Sequence, residues 1–210
     1  MDLSNQLDLS NIMVNYVAAL KVLKTEIEIL SDEFEYSHKY NPVEHIKYRI
    51  KSYESILNKL ERKGLELTNE NVIEHINDVV GIRVVCSFIP DVYELVNIIE
   101  KSRNIKVLNK KDYIKNPKDN GYTSYHLIVS VPVYLSIGVQ EVKAEIQIRT
   151  IAMDFWASLD HKISYKFPEN QELPESVIQE LKESSNTIKN LDKRMAELIG
   201  IVNDLPKEDD

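Results

Sequence analysis

The sequence is poor in cysteine and glycine and has no long apolar run. Its one cysteine, Cys86, lies in the apolar segment 82–88 and has no partner for an intrachain disulfide, so a reducing compartment is expected. Catalysis by this thiol is not favoured, because apolar surroundings suppress the thiolate. No apolar stretch approaches the roughly 18 residues of a membrane span. The first residues, with Asp2 and Asp8, lack the basic-then-apolar pattern of a signal sequence, so we expect a cytoplasmic protein without a membrane partner.

The five glycines do not form a phosphate-binding loop. Neither a Walker A nor a GxGxxG pattern is present, which excludes P-loop and Rossmann nucleotide binding. Asp160-His161 is not the His-Asp pair of a metal phosphohydrolase, and no other histidine is spaced to complete such a site. The net charge of −8 argues against a general nucleic-acid coat, because phosphate binding needs clustered cations.

The 210 residues are 43% hydrophobic and 29% charged, which is typical of one soluble globular domain with appended helices. Apolar spacing predicts helices at 9–30, 41–64, 69–77, 90–99, 150–164 and 177–201. The acidic stretch 32–40 is expected to break the first helix. Strands are predicted at 81–88, 105–108, 122–131 and 142–149, with a loop at 110–121 and a connection at 132–140 that turns at Gly138. This order predicts an α/β or α+β domain, namely a mixed β-sheet packed between helices with extra N- and C-terminal helices.

The predicted helix after residue 41 carries a row of basic side chains. Its start is signalled by Asn41 as cap, Pro42 at the first helical position and Glu44 three residues after the cap. Three cations and one hydroxyl then follow one face: Lys51, Ser55, Lys59 and Arg62. Such a row suits a polyphosphate, although an ordinary solvated helix face has the same appearance. Arg49 points elsewhere on an ideal helix and could join the site only from a frayed first turn or by its long reach.

Residues 142–149 alternate strictly between apolar and polar side chains. The period of two predicts a strand with one face in the core. The other face carries Lys143, Glu145, Gln147 and Arg149. It is either an ordinary solvated face or the lining of a site for an anionic ligand.

Asp78 is predicted at the junction between a short helix and the strand 81–88, where aspartate is a common turn residue. Paired with Glu145, it could instead hold Mg²⁺, which takes one or two protein carboxylates and completes its shell with water and substrate phosphates. Arg83 is an isolated cation in the same apolar strand. It requires a nucleotide or a carboxylate as partner, because unpaired buried charge is costly.

Basic residues are concentrated between 101 and 118, where seven lysines and arginines against one acid give a local charge of +6. An anion-binding loop and a solvated loop are both compatible with this charge. Asn120-Gly121 then predicts a tight turn, after which the Tyr122 ring could stack on a base. His126 could donate to a phosphate or have a purely structural role.

Five segments follow one another in order along residues 41–167. They are Arg49-x-Lys51-x-x-x-Ser55, Asp78-x-x-Gly81-Ile82-Arg83, Lys118-x-Asn120-Gly121-Tyr122-x-Ser124-x-His126, Glu145-Ile-Gln147-Ile-Arg149-Thr150, and the helix from Met153 through Trp156 and His161 to Tyr165-Lys166. Together they resemble the synthetase domain of the RelA/SpoT family, most closely its stand-alone members, the small alarmone synthetases. Each segment alone is weakly specific, whereas all five with this order and spacing are highly specific.

The resemblance implies a nucleotidyltransferase-like fold and a GTP diphosphokinase. Such an enzyme moves the β,γ-pyrophosphate of ATP to the 3′-hydroxyl of GDP or GTP, giving ppGpp or pppGpp and AMP in the stringent response. The implied ATP-binding residues are Arg49, Lys51, Ser55, Lys59 and Arg83, with Arg49 and Arg83 beside the adenine. The implied acceptor-site residues are Lys118, Tyr122, His126 and Gln147, with Tyr122 stacked on guanine. Asp78 would hold Mg²⁺, and Glu145 would aid deprotonation of the acceptor hydroxyl and contribute to the metal site.

The resemblance also implies an architecture. Residues 1–210 would be a single synthetase domain with a catalytic core at about 41–167, and the flanking helices 1–31 and 175–201 would assemble a homotetramer. Larger family members add a hydrolase domain and a regulatory tail, for which this chain has no room, so we expect synthesis without hydrolysis. The role of Asp154 and the preferred acceptor among GDP, GTP and GMP stay open.

Two other functional classes fit parts of the pattern. A non-catalytic nucleotide sensor on the same fold would lack Asp78 or Glu145, and both are present. A different nucleotidyltransferase would pair two carboxylates one residue apart behind a Gly-Ser turn, and the chain has no such pair.

Overall fold

A computed structural model describes residues 9–37, 41–164 and 173–204. The strands are β1 (Val43–Ile50), β2 (Val80–Cys86), β3 (Lys106–Asp112), β4 (Tyr125–Leu135) and β5 (Gly138–Thr150). The helices are α1 (Ser10–Ser37), α2 (Tyr53–Arg62), α3 (Asn69–His75), α4 (Ile89–Lys101), α5 (Ile151–Ser164) and α6 (Glu175–Asp204). The strands form one mixed sheet in the order β1-β2-β5-β4-β3. Only β2 and β5 are parallel, and the other neighbours are antiparallel.

One face of the sheet is buried under α1 and α4. The apolar residues of β2, β4 and β5 share a single core with Leu23 and Ile27 of α1 and with Leu95 and Ile99 of α4. Each fully buried leucine or isoleucine contributes roughly 1.5–3 kcal/mol to folding. This burial fixes which strand residues face the opposite side, because side chains alternate along a strand.

The opposite face of the sheet is polar. Gly81 lies across from Glu145 and Arg83 across from Gln147 on the parallel pair, while His126 lies across from Gln147 on the antiparallel pair. Residues directly opposed on paired strands project from the same face. The predicted polar row on β5 is therefore the centre of a wider polar surface.

The segment 43–50 is an edge strand, so the helix predicted from residue 41 is wrong over its first half. Asn41 does cap a backbone group, but its side chain accepts from Val43 N at 2.9 Å in a turn that leads into β1. The helix begins eleven residues later than predicted, where the Ser52 hydroxyl accepts from Ser55 N. The prediction failed because the apolar residues of an exposed edge strand and of the following helix happen to recur at helical spacing.

Several other predicted boundaries also differ from the structure. The sheet has five strands instead of four, β3 takes in the first part of the predicted loop, and β4 continues through Pro132 into a hairpin whose Gly138 has a φ of 113°. The stretch 32–37 continues α1, because Phe34 extends its buried stripe. The helices predicted at 69–77, 90–99, 150–164 and 177–201 are confirmed within a few residues.

No helix in the described ranges has the length and apolar character needed to cross a membrane. Tyr165 and Lys166 of the fifth sequence segment, and Asp2 and Asp8, lie outside the described residues.

Candidate active site

Asp78 and Glu145, 67 positions apart in the chain, line the same cavity of about 330 Å³ on the polar face of the sheet. Asp78 occupies the turn between α3 and β2, whereas Glu145 lies in the middle of β5. Lys59, Lys118 and His126 line the same cavity. The cavity therefore combines two acids with basic side chains.

Asp78 is held by two lysines from the β1–α2 region. Lys59 Nζ lies 2.7 Å from Oδ1, and Lys51 Nζ lies 3.0 Å from Oδ2. Burial acts to raise the pKa of Asp78, but the hydrogen bonds and charges of Lys59 and Lys51 outweigh it and the pKa lies below its usual value. Asp78 is consequently ionised at neutral pH.

Glu145 is also kept ionised by its neighbours. Its Oε1 lies 3.0 Å from His126 Nδ1, and its Oε2 accepts from Gln147 Nε2 at 2.8 Å. Burial raises the pKa of Glu145, and the nearby charge of Asp78 raises it further. The contacts with His126 and Gln147 prevail, so the net shift is downward.

A chain of hydrogen bonds connects Arg149 to Glu145 through Tyr122 and His126. Arg149 Nη2 donates to the Tyr122 hydroxyl at 2.5 Å, and that hydroxyl lies 2.8 Å from His126 Nε2. Arginine is a donor only, so the hydroxyl accepts from Arg149. Ionised Glu145 can only accept, so His126 Nδ1 carries a proton and donates to Oε1.

A second cluster forms around Asp154, at the first turn of α5. Its Oδ1 accepts from Arg83 Nη1 at 3.1 Å and from Arg149 Nη1 at 3.2 Å. Lys47 and His45 lie within 3.8 Å of Oδ2. Burial and then the charge of Arg149 lower the pKa of Arg83, while Asp154 opposes this shift. Of the two partners foreseen for Arg83, a carboxylate is the one present in the structure.

Arg49 reaches the polar face from a strand, not from a helix. On β1 it lies across from Gly81, and together with Arg83 and Gln147 it lines a shallow cavity of about 190 Å³. A side chain at position 81 would meet Arg49, whose Cγ lies 3.6 Å from the place of a Cβ there. The expected difficulty in bringing Arg49 to the site disappears, because β1 runs beside β2.

The predicted row on α2 does not act as one unit. Lys51 and Lys59 meet at Asp78, whereas Ser55 shares a 2.8 Å hydrogen bond with Ser52 and lines neither cavity. Arg62 bonds to the backbone of its own helix at Asn58 O. Lys51 precedes α2, so only Ser55, Lys59 and Arg62 lie on the helix, and the prediction of four residues on one helix face is wrong.

The basic segment 101–118 is likewise divided. Lys111 and Lys118 line the cavity of Asp78 and Glu145, while Lys110 pairs with Glu100 at 2.9 Å on the far side of β3. Lys118 Nζ lies 4.8 Å from the centre of the Tyr122 ring, which Arg149 also contacts at 5.1 Å. The Tyr122 ring is thus contacted by two cations, one of which, Lys118, lines the cavity of Asp78 and Glu145.

Sequence reasoning missed the part played by Asp154 and Tyr113. Asp154 follows a strand of alternating polarity by five residues, and nothing in its spacing pointed to two arginines. Tyr113 packs edge-on against Tyr122 and His126, with ring centres 6.0 and 5.2 Å apart. Only an isolated aromatic in the basic segment could have signalled it.

A hard cation fits Asp78 and Glu145 by donor chemistry. Both carboxylates are ionised, half-buried and open to one cavity, and the charge of Asp78 acts to raise the pKa of Glu145. Across 9–37, 41–164 and 173–204 no group of three or more His, Cys, Asp or Glu side chains could hold a metal. Two carboxylates suffice for Mg²⁺ when substrate phosphates supply further ligands.

A model described as the region found in RelA / SpoT proteins matches residues 48–170, more than half of the chain. The chain belongs to the RelA/SpoT family. The matched region contains both carboxylates and Asp154, whereas α1 and α6 lie outside it.

Relatives within the family match almost the whole chain. GTP pyrophosphokinase YwaC of Bacillus subtilis is 50% identical over 188 residues, covering 90% of this chain and 89% of YwaC. The crystal structure of small alarmone synthetase 2 from B. subtilis superposes with a TM-score of 0.80 at 47% identity, covering 93% and 98% of the two chains. Small alarmone synthetase 1 from B. subtilis, bound to its product pppGpp, superposes with a TM-score of 0.84 at 34% identity, covering 93% and 99%. The predicted mixed sheet between helices is the fold of these RelA/SpoT-family proteins.

Proposed function

We propose that this chain is a GTP pyrophosphokinase that transfers the β,γ-pyrophosphate of ATP to the 3′-hydroxyl of GDP or GTP, releasing AMP. The observation that carries the proposal is the cavity in which ionised Asp78 and Glu145 meet basic side chains. The 50% identity to a GTP pyrophosphokinase over 90% of the chain supports the same reaction.

The ATP side of the site is formed by β1, α2 and β2. Arg49 and Arg83 flank the adenine, and their shared cavity on the strand surface supports this placement. Lys51 and Lys59 bind the phosphates, for which they must leave Asp78. Ser55 joins them through its position in the first turn of α2. Phosphoryl transfer depends mainly on such positioning and charge neutralisation.

The acceptor side is formed by β4, β5 and the loop before β4. Tyr122 stacks on guanine, and Lys118 beside its ring contacts the phosphates. Glu145 takes the proton of the 3′-hydroxyl, which its low pKa allows because it is ionised before the acceptor binds. His126 and Gln147 donate to its two oxygens and also reach the acceptor.

Asp78 and Glu145 would hold Mg²⁺ at this site. The bound ion supplies charge neutralisation at the transferred phosphates. The protein's own contribution is to keep both carboxylates unprotonated and within one cavity.

A homotetramer formed through the terminal helices is part of the proposal. Exposed apolar residues recur on α6 at three- and four-residue steps, at Leu191, Met195, Leu198 and Val202, a spacing typical of helix–helix seams. A largely apolar groove of about 550 Å³ lies between this helix and α5. Light scattering tests the assembly, and a monomeric mass would contradict it. We also place the enzyme in the cytoplasm, where a free buried thiol such as Cys86 stays reduced.

The activity is tested by incubating the protein with labelled ATP and, in turn, GDP, GTP and GMP, followed by thin-layer chromatography and quantification of AMP. Asp78→Asn and Glu145→Gln should each reduce transfer by at least 100-fold while remaining folded by circular dichroism. Near-normal rates in either variant would refute the assignment. Incubation with ppGpp alone tests the expected lack of hydrolysis.

A further inference from the structure

The buried carboxylate of Asp154 contacts arginines on both the ATP side and the acceptor side of the proposed site. It is 7% exposed and lies in the first turn of α5. Its Oδ1 accepts from both Arg83 and Arg149, which come from the neighbouring strands β2 and β5.

The first branch from Asp154 leads to the ATP side. Arg83 makes an ion pair with Asp154 through Nη1 and lines the cavity shared with Arg49. Its Nε is buried and has no hydrogen-bond partner among the described residues. The orientation of the guanidinium plane at the ATP cavity therefore depends on the contact with Asp154.

The second branch leads to both oxygens of Glu145. Arg149 Nη2 donates to Tyr122, which continues through His126 to Oε1. The same Nη2 donates to Gln147 Oε1 at 3.0 Å, and Gln147 Nε2 donates to Glu145 Oε2. The two side chains that donate to Glu145, His126 and Gln147, are thus both linked by hydrogen bonds to Arg149.

Charge explains why the two branches need a common acid. Arg83 and Arg149 repel each other, since each carries a fixed positive charge and both are at least partly buried. One carboxylate oxygen between them offsets this repulsion and allows both guanidinium groups to stay on one sheet face. Without it, the repulsion between the two guanidinium groups would be unopposed, and the hydrogen bonds of both branches would weaken.

We infer that Asp154 is a positioning residue for the transfer reaction, acting through Arg83 on the ATP side and through Arg149 on the acceptor side. The inference rests on the proposed function. It assigns no substrate contact to Asp154 itself. If Asp154 has this role, loss of its carboxylate should impair the reaction with respect to both ATP and the acceptor nucleotide.

Steady-state kinetics of Asp154→Ala and Asp154→Asn, with ATP and GDP varied separately, test this inference. We expect Asp154→Ala to raise both KM values at least fivefold and to lower kcat at least tenfold. Asparagine still accepts a hydrogen bond through its amide oxygen, so Asp154→Asn should recover part of each loss. By comparison, Arg83→Ala should raise mainly the KM of ATP, and Arg149→Ala should lower mainly kcat and raise the KM of GDP.

The matched control is Asp192→Asn, which removes another buried carboxylate, one that accepts from Thr150 at 2.6 Å outside both cavities. Its kinetic constants should stay within twofold of the wild type. The double variant Asp154→Ala/Arg149→Ala should be little worse than Arg149→Ala in kcat, because residues acting in series are not additive.

Two outcomes would overturn the inference. The first is that Asp154→Ala has wild-type KM and kcat values. The second is that Asp154→Ala lowers the melting temperature but leaves both KM values unchanged, which would show that the cluster has only a structural role. If the wild-type protein forms no ppGpp at all, the proposed function fails first, and titration calorimetry of ATP and GDP binding to the same variants still tests the positioning role.

Discussion

Lys59 Nζ lies 2.7 Å from Asp78 Oδ1. A lysine proposed to bind the ATP phosphates is therefore paired with a carboxylate proposed to bind the metal. Lys51 occupies the other oxygen of Asp78 at 3.0 Å. The two lysines neutralise the acid and lower its pKa against the effect of burial. Under the proposed function, nucleotide binding would draw the two lysines onto phosphate oxygens and leave Asp78 available to a hard cation.

Lys59→Met should weaken ATP binding while leaving the acceptor side intact. A hydrogen bond to a charged group is worth about 1.5–3 kcal/mol, so we expect the KM of ATP to rise roughly tenfold or more, at about tenfold per 1.4 kcal/mol. Steady-state kinetics with GDP saturating provide the measurement. Arg62→Met on the same helix is the control, because Arg62 donates to Asn58 O of its own helix and lines neither cavity. Equal effects of the two substitutions would contradict the assignment of Lys59.

Tyr122→Phe and Tyr113→Phe form a matched pair. Both keep an aromatic ring beside His126, but only the Tyr122 hydroxyl lies between Arg149 and His126. Loss of that hydroxyl should lower kcat by about tenfold, the cost of one charge-assisted hydrogen bond. Tyr113→Phe should stay within twofold of the wild type. A Tyr122→Phe variant with unchanged kcat would show that the chain to Glu145 is not needed.

Gly121→Ala should disturb the loop before β4. Gly121 has a φ of 89°, and a Cβ at this position would lie 2.8 Å from Ser185 Cβ of α6. A left-handed conformation alone costs an alanine about 1–2 kcal/mol, and the clash adds to this. Gly64→Ala is the control, since Gly64 has a φ of 67° and open space around it.

Denaturant titrations of both glycine variants measure the difference. The Gly121 variant should be less stable than the Gly64 variant, and its KM for GDP should also rise because Lys118 and Tyr122 flank the disturbed turn. If the two variants lose the same stability, α6 does not restrict this loop.

Asp192→Asn should stabilise the protein at neutral pH. Burial raises the pKa of Asp192 above its ordinary value, although the Thr150 hydrogen bond partly opposes this. A carboxyl group whose folded-state pKa is raised contributes stability below its unfolded pKa of about 3.9 and loses that contribution as the pH rises through the folded value. The neutral amide escapes this loss and can still accept from Thr150. Melting temperatures should therefore favour the variant at pH 7 and converge near pH 4, and a variant less stable at pH 7 would refute the argument.

The position of the two carboxylates was predictable in part. Strict alternation along residues 142–149 placed Glu145 on the polar side of a strand, and the turn before β2 placed Asp78 at a strand entrance. Their pairing was one of two alternatives that the residues left open, and the family resemblance favoured it. No local pattern reports a contact between residues 67 positions apart.

The route of Arg49 and the role of Asp154 required the fold. Arg49 reaches the site because residues 43–50 pair with β2 as an edge strand, and an exposed edge strand shows little alternation by which to recognise it. Asp154 meets Arg83, 71 positions away, only because β2 and β5 are neighbours in the sheet.

The amino-acid order alone determined which side chains β5 turns away from the core, because successive residues of a strand point to opposite sides. It also determined where α3, α4, α5 and α6 begin and end to within a few residues, since their apolar spacing is local. Tertiary structure decided which charges meet. Ion pairs such as those of Asp78 and Asp154 form only after burial of the apolar sheet face brings separate strands and helices together, and burial then makes each unpaired charge costly.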